Sequence, residues 1–193
     1  PITSPNDTGH GCGHHLLGTG SIRAAVEFKN YLQENNLAGT VKLVGCPAEE
    51  SGSGKAYLAR DGYFNDCDIA LTWHPDNYNQ VSTGSSQSCI SCFFKFHGVS
   101  AHAAGAPHLG RSALDACELM NVGVNYLREH MLPSDRVHYA YTNAGGKAPN
   151  VVQSEAVLKY FVRSATNPVC EELYQRVINC AKGAALMTGT TVD

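Results

Sequence analysis

Three histidines and one cysteine stand within ten residues, GHGCGHHLLG, over residues 9–18. Thiolate sulfur and neutral imidazole nitrogen ligate divalent cations, and a thiol beside an imidazole can equally be a nucleophile with its base. Two other stretches carry chemistry that could join them. PAEESGSG, over residues 47–54, holds adjacent carboxylates at Glu49 and Glu50, and TWHP, over residues 72–75, supplies His74. Taken alone, the carboxylate pair reads as a solvated loop end and His74 as a structural histidine. Taken together with Cys12 and His14 they form a set of metal-type ligands.

Such a set works only if the intervening elements bring it to one rim. Residues 16–35 read as a helix, with Leu17, Ala24, Ala25, Phe28, Tyr31 and Leu32 near helical spacing, closed by Asn35, Asn36 and Gly39. GTVKLVGCP (39–47) and DIALTWHP (68–75) read as strands, with a short helix around 56–61 between them. That order predicts a parallel α/β unit. Glu49 and Glu50 then follow one strand and His74 closes the other, while Cys12 and His14 open a helix. In open α/β sheets the carboxyl ends of strands line the ligand crevice. On an extended backbone neighbouring carboxylates diverge, so one could hold a cation and the other a water.

The pattern changes near Gly84. SCISCFFKFHG (88–98), VHYAYTN (137–143) and AVLKYFVRS (156–164) read as strands, residues 111–131 and 169–187 as helices, and TTVD as the start of a further strand. This is the β-α-β-β-α-β order of a ferredoxin-like domain. The expected organisation is therefore residues 1–84 as part of a catalytic α/β domain and residues 85–193 as a second domain. The chain opens at Pro1 in a loop-like stretch and stops where a strand begins, so both ends read as cut from a longer polypeptide.

Composition narrows the partners. The 193 residues are 43% hydrophobic and 16% charged, with a net charge of -3, below the ~25% charged of ordinary soluble domains. No basic stripe suggests nucleic acid, and no apolar run approaches the ~18 residues that span a bilayer. Eight cysteines at irregular spacing, several inside apolar runs, read mostly as buried thiols of a reducing cytoplasm. Cys89 and Cys92 would face opposite sides of a strand, which argues against a shared metal.

CGHH, PAEESGSG and TWHP, in this order and at these approximate spacings, resemble the metal-dependent amidohydrolase branch of the M20 peptidase family, nearest its aminobenzoyl-glutamate utilisation subgroup. The resemblance covers nearly the whole chain. It implies part of a phosphorylase/hydrolase-like zinc-peptidase catalytic domain, followed by a ferredoxin-like lid that dimerises. It implies Cys12, His14, Glu50 and His74 as ligands of two divalent ions, Zn or Mn with Co or Ni also suited, and Cys12 as a bridge between them. Glu49 would be the general base. His102, in FHGVSAHAAGAPHLGRSALDA (96–116), matches a lid histidine that reaches a neighbouring subunit and donates to an oxyanion. Asn150 and Arg163 match lid residues that hold a substrate carboxylate. The family's usual Asp after CGH is His15 here, expected beside the ligands rather than among them.

The expected reaction is hydrolysis of an amide in an N-acyl amino acid or an aminobenzoyl-glutamate-like small molecule, by a homo-oligomer or a pair with a related subunit. Two alternatives stay open. Cys12 could be the nucleophile of a thiol hydrolase, which leaves Glu49 and Glu50 unused, or the chain could be a non-catalytic dimerisation or binding piece.

Overall fold

The computed structural model describes residues 9–193 of a mixed α/β chain that divides between Ser82 and Thr83 into two compact units. Among its described residues the first unit holds three helices: α1 (His14–Glu34), α2 (Glu49–Gly52) and α3 (Gly54–Arg60). Helix α1 starts at Gly13, whose φ of 80° lies in the left-handed region that glycine enters without cost. It ends where the Asn35 side-chain amide and backbone N–H both donate to the Tyr31 carbonyl.

The two strands expected over 39–47 and 68–75 do not form among the described residues. A strand exists only as a member of a ladder, and neither stretch meets a backbone neighbour that could complete one. Their apolar side chains stay outside: Ile69 is 76% and Leu71 93% exposed. The carboxylate pair is also placed differently from expectation. Glu49 and Glu50 open a one-turn helix instead of continuing an extended backbone. Ala48 (φ 55°) and Ser53 (φ 50°) flank that turn in left-handed conformations that cost a side-chain-bearing residue energy.

The second unit is built on β1 (Ser88–His97), α4 (Ala113–Leu127), β2 (Arg136–Asn143), β3 (Glu155–Ser164), α5 (Asn167–Thr188) and β4 (Thr191–Val192). The antiparallel pairs order the sheet β2-β3-β1-β4, the ferredoxin-like arrangement. Burial alternates along all ten residues of β3, because successive side chains point to opposite faces. Ala156, Leu158, Tyr160 and Val162 face Met120, Val124 and Cys117 of α4 and Cys170, Val177 and Ala181 of α5 in one core. Each large apolar side chain buried there contributes roughly 1.5–3 kcal/mol.

Polar groups inside this core are satisfied. The Tyr160 hydroxyl donates to Asn121 Oδ1 at 2.6 Å, and the Ser164 hydroxyl to Asp135 Oδ1 at 2.7 Å. Ser112 caps α4 by accepting from the Asp115 backbone N–H at 3.1 Å. The eight cysteines are all free thiols. Cys117 and Cys170 are buried, but Cys46, Cys92 and Cys180 are half-buried and Cys89 is exposed, so the expected thiol burial holds only in part.

Candidate metal centre

The first unit gathers its chemistry at the start of α1. Sulfur of Cys12, an imidazole nitrogen of His14 and a carboxylate oxygen of Glu50 all lie within 4.8 Å of one another. His14 Nε2 is 3.0 Å from Glu50 Oε1 and 3.3 Å from Glu49 Oε2. His74 enters through the thiol, with Nε2 at 3.0 Å from Cys12 Sγ. It stands outside the group of three mutually close donors.

Local packing explains how residue 74 comes to lie beside residue 12. The Trp73 indole N–H donates to the Leu17 carbonyl at 3.2 Å. A Cβ on Gly20 would come within 2.6 Å of Trp73 Cζ2, so only glycine lets the indole rest on α1 there. Pro75 closes on Gly13 from the other side. Trp73 and Gly20 are thus positioning residues that spacing alone did not reveal; an aromatic next to a candidate ligand is the signal for the first.

Tautomers follow from the acceptors. His74 Nδ1 lies 2.8 Å from the Pro75 carbonyl, which can only accept, so Nδ1 carries the proton and Nε2 presents a lone pair toward Cys12. Metal-binding histidines are commonly oriented by such a backbone carbonyl. The Cys12 thiol is raised above its ordinary 9.0, chiefly by its hydrogen bond to Glu50 and then by desolvation. Glu50 is lowered in turn, first by that thiol and then by His14. Sulfur, nitrogen and oxygen donors drawn together without a positive charge at their centre fit a divalent cation, which would take the place of the thiol proton. The His15 ring meets that of His10 at a tilt of 48° with centroids 4.4 Å apart, and His15 is not one of the three gathered donors.

In the second unit, His102 Nδ1 accepts from the backbone N–H groups of Ala104 (3.2 Å) and Gly105 (3.0 Å). The neutral ring therefore carries its proton on Nε2, free to donate outward. Asn150 is its neighbour: His102 bridges to Val151, and the Asn150 carbonyl accepts from Ala103 N–H at 2.9 Å. Arg163 is not nearby. It pairs with Cys89 and Arg136 at the far end of β3, whereas Glu155 pairs with His97 at the near end. At about 3.3 Å per residue the eight steps from Glu155 to Arg163 span roughly 26 Å. Asn150 and Arg163 of one chain are thus held apart by the length of β3. His97 pairs with Asp193 at 2.9 Å, a structural role.

Residues 1–191 match the model of peptidase family M20/M25/M40. One of the subunits of p-aminobenzoyl-glutamate hydrolase from Escherichia coli is 48% identical over 98% of this chain, and the chain spans 40% of that protein. The Xaa-Arg dipeptidase of Mus musculus is 34% identical over 96% of this chain and is spanned over 43% of its own length. A crystal structure of a hydantoinase/carbamoylase family amidase from Burkholderia ambifaria shares the fold, with a TM-score of 0.52 at 15% identity over 55% of this chain and 27% of that one. The chain thus spans about two fifths of the curated relatives it matches. The family model matches nearly the whole chain, and the chain belongs to peptidase family M20/M25/M40.

Proposed function

We propose that this chain carries part of the active centre of a metal-dependent amidohydrolase acting on N-acyl amino acids, with an aminobenzoyl-glutamate-like amide as the nearest example. The observation that carries the reading is the meeting of Cys12, His14 and Glu50 donors within 4.8 Å, drawn from two stretches far apart in the chain. Cys12, His14, Glu50 and His74 would hold two divalent ions. A soft sulfur beside nitrogen and oxygen suits Zn or Mn and admits Co or Ni. Such an ion is a Lewis acid that acidifies water and polarises an amide carbonyl.

The chain's own residues supply the rest. Glu49 leans on His14 from the side of the ligand set and takes a proton from water, then passes it to the departing amine. His102 donates from Nε2 to the oxyanion that develops on the former carbonyl. Arg163 offers a bidentate grip on the substrate carboxylate. Because β3 separates it from Asn150, one carboxylate held by both requires two copies of the chain, or this chain and a related subunit. In this reading the second unit serves as a dimerisation lid. No helix among the described residues is long and apolar enough to cross a membrane, and eight free thiols suit a reducing, cytoplasmic setting.

The thiol-hydrolase reading has one observation in its favour: Cys12, His74 and the Pro75 carbonyl are aligned as nucleophile, base and orienter. Two acids beside the thiol oppose it. A nucleophilic cysteine needs a lowered pKa, and Glu50 raises this one. The test is the protein's hydrolysis of a panel of N-acyl amino acids with and without chelator. The metal reading expects chelation to abolish turnover. It expects Glu49→Gln to keep its metal while turnover falls about 10²–10⁴-fold. Full activity after chelation, lost on alkylation of Cys12, would establish the thiol mechanism instead.

A further inference from the structure

The lid sheet buries one face against α4 and α5 and leaves the other open. On the open face, charge is sorted along the strands. Near one end, Lys95 pairs with Glu155 at 2.9 Å and His97 with Asp193 at 2.9 Å. Further along stand Lys159, Arg163 and Arg136, and among the described residues none of the three is ion-paired. Arg136 lies directly opposite Arg163 across β2 and β3, an arrangement of like charges that destabilises a sheet. Arg136 turns its guanidinium back to the carbonyls of Pro133 and Asp135.

Lys159 and Arg163 have instead only aromatic rings to rest on. Lys159 Nζ lies 5.4 Å from the Phe93 ring centre and 5.2 Å from that of Phe161, while the Arg163 guanidinium lies 5.7 Å from Phe161. One ring thus carries two cations, and Phe93 remains 56% exposed. Rings hold the cations over the sheet without neutralising them. Two positive groups fixed around an exposed aromatic platform, with no acid of their own, are complementary to a small anion bearing two acidic groups.

We infer that Lys159, held between Phe93 and Phe161, is a specificity-determining residue that takes a second carboxylate beside the one assigned to Arg163. The preferred substrates are then N-acyl derivatives of a dicarboxylic amino acid. This rests on the amidohydrolase reading and deepens it. The names of two curated relatives carry side chains of opposite charge, glutamate in one and arginine in the other. Lys159 attracts the first kind of side chain and repels the second.

The experiment compares kcat/KM of the metal-loaded, full-length protein for N-acyl-glutamate, its neutral N-acyl-glutamine isostere and N-acyl-arginine. The same three compounds are ranked by calorimetric binding to the metal-free protein. Wild-type protein is expected to prefer glutamate over glutamine at least tenfold in both measurements. Lys159→Gln should bring that ratio close to one, chiefly through KM, Lys159→Glu should turn it toward the arginine compound, and Lys159→Arg should restore it. A ratio unmoved in both Lys159→Gln and Lys159→Glu, with hydrolysis intact, overturns the inference and leaves the amidohydrolase reading standing. Loss of all three hydrolyses in wild-type protein, with metal bound, overturns both.

Discussion

At the scale of single residues, the site rests on pairs whose partners decide their chemistry. His102 is committed to one tautomer by the backbone N–H groups of Ala104 and Gly105. In the proposed reaction its outward Nε2–H would gain a charge-assisted hydrogen bond only when negative charge develops on the substrate. His102→Ala is therefore expected to lower kcat about 10²–10³-fold while the melting temperature moves little, checked by steady-state kinetics beside thermal unfolding. The ligand-type residues were legible in the sequence because Cys, His and Glu announce their chemistry wherever they stand. Their support was not. Nothing in the spacing tells that Pro75's own carbonyl sets the His74 tautomer, or that Trp73 needs Gly20 to lie flat on α1.

At the scale of elements, the second unit was readable throughout and the first only in its helices: α1 and α3 fall where the spacing places them, while the two strands do not form among the described residues. In AVLKYFVRS the two long cations, Lys159 and Arg163, fall four residues apart and so on one face, and burial alternates along the folded β3 because its other face packs into the core. Residues 39–47 and 68–75 have the same apolar character but no ladder among the described residues. The turn at Glu49 depends on left-handed Ala48 and Ser53, which residue preference argues against. The core of the second unit yields a pH prediction. Burial pushes the Cys92 thiol up to about 11 and the Cys117 thiol up to about 12, from an ordinary 9.0. Both thiols favour the folded state while they stay neutral, so their stabilisation is complete below about pH 9 and is lost as pH rises from about 9 to about 12. Urea midpoints of the second unit are expected to fall over that window. At roughly pH 8, below the ordinary thiol range, alkylation with iodoacetamide should label exposed Cys89 quickly and Cys117 only on unfolding.

At the scale of the whole molecule, stability and chemistry are divided. The buried apolar residues run from Phe94 to Ala185, whereas no described side chain between residues 9 and 82 is buried. Residues 83–193 alone are therefore expected to fold cooperatively, with a sigmoidal urea transition followed by near-ultraviolet circular dichroism. Residues 1–82 alone should show no such transition. The same division explains why the ferredoxin-like order could be read through to its sheet while the site could be read only as a list of ligands. A core writes its periodicity into the sequence, and a cluster held by a few turns and one indole does not.

The proposed amidohydrolase chemistry would depend throughout on a divalent cation held by Cys12, His14 and Glu50, whose donor atoms lie within 4.8 Å of one another. Titration of the protein with Co²⁺, followed by optical absorption, probes that cation without reference to any substrate. Saturable uptake is expected, with a thiolate-to-cobalt charge-transfer band in the near ultraviolet that is lost in Cys12→Ser and weakened in Glu50→Gln. Saturable uptake with no sulfur band, or a band unchanged in Cys12→Ser, would contradict it.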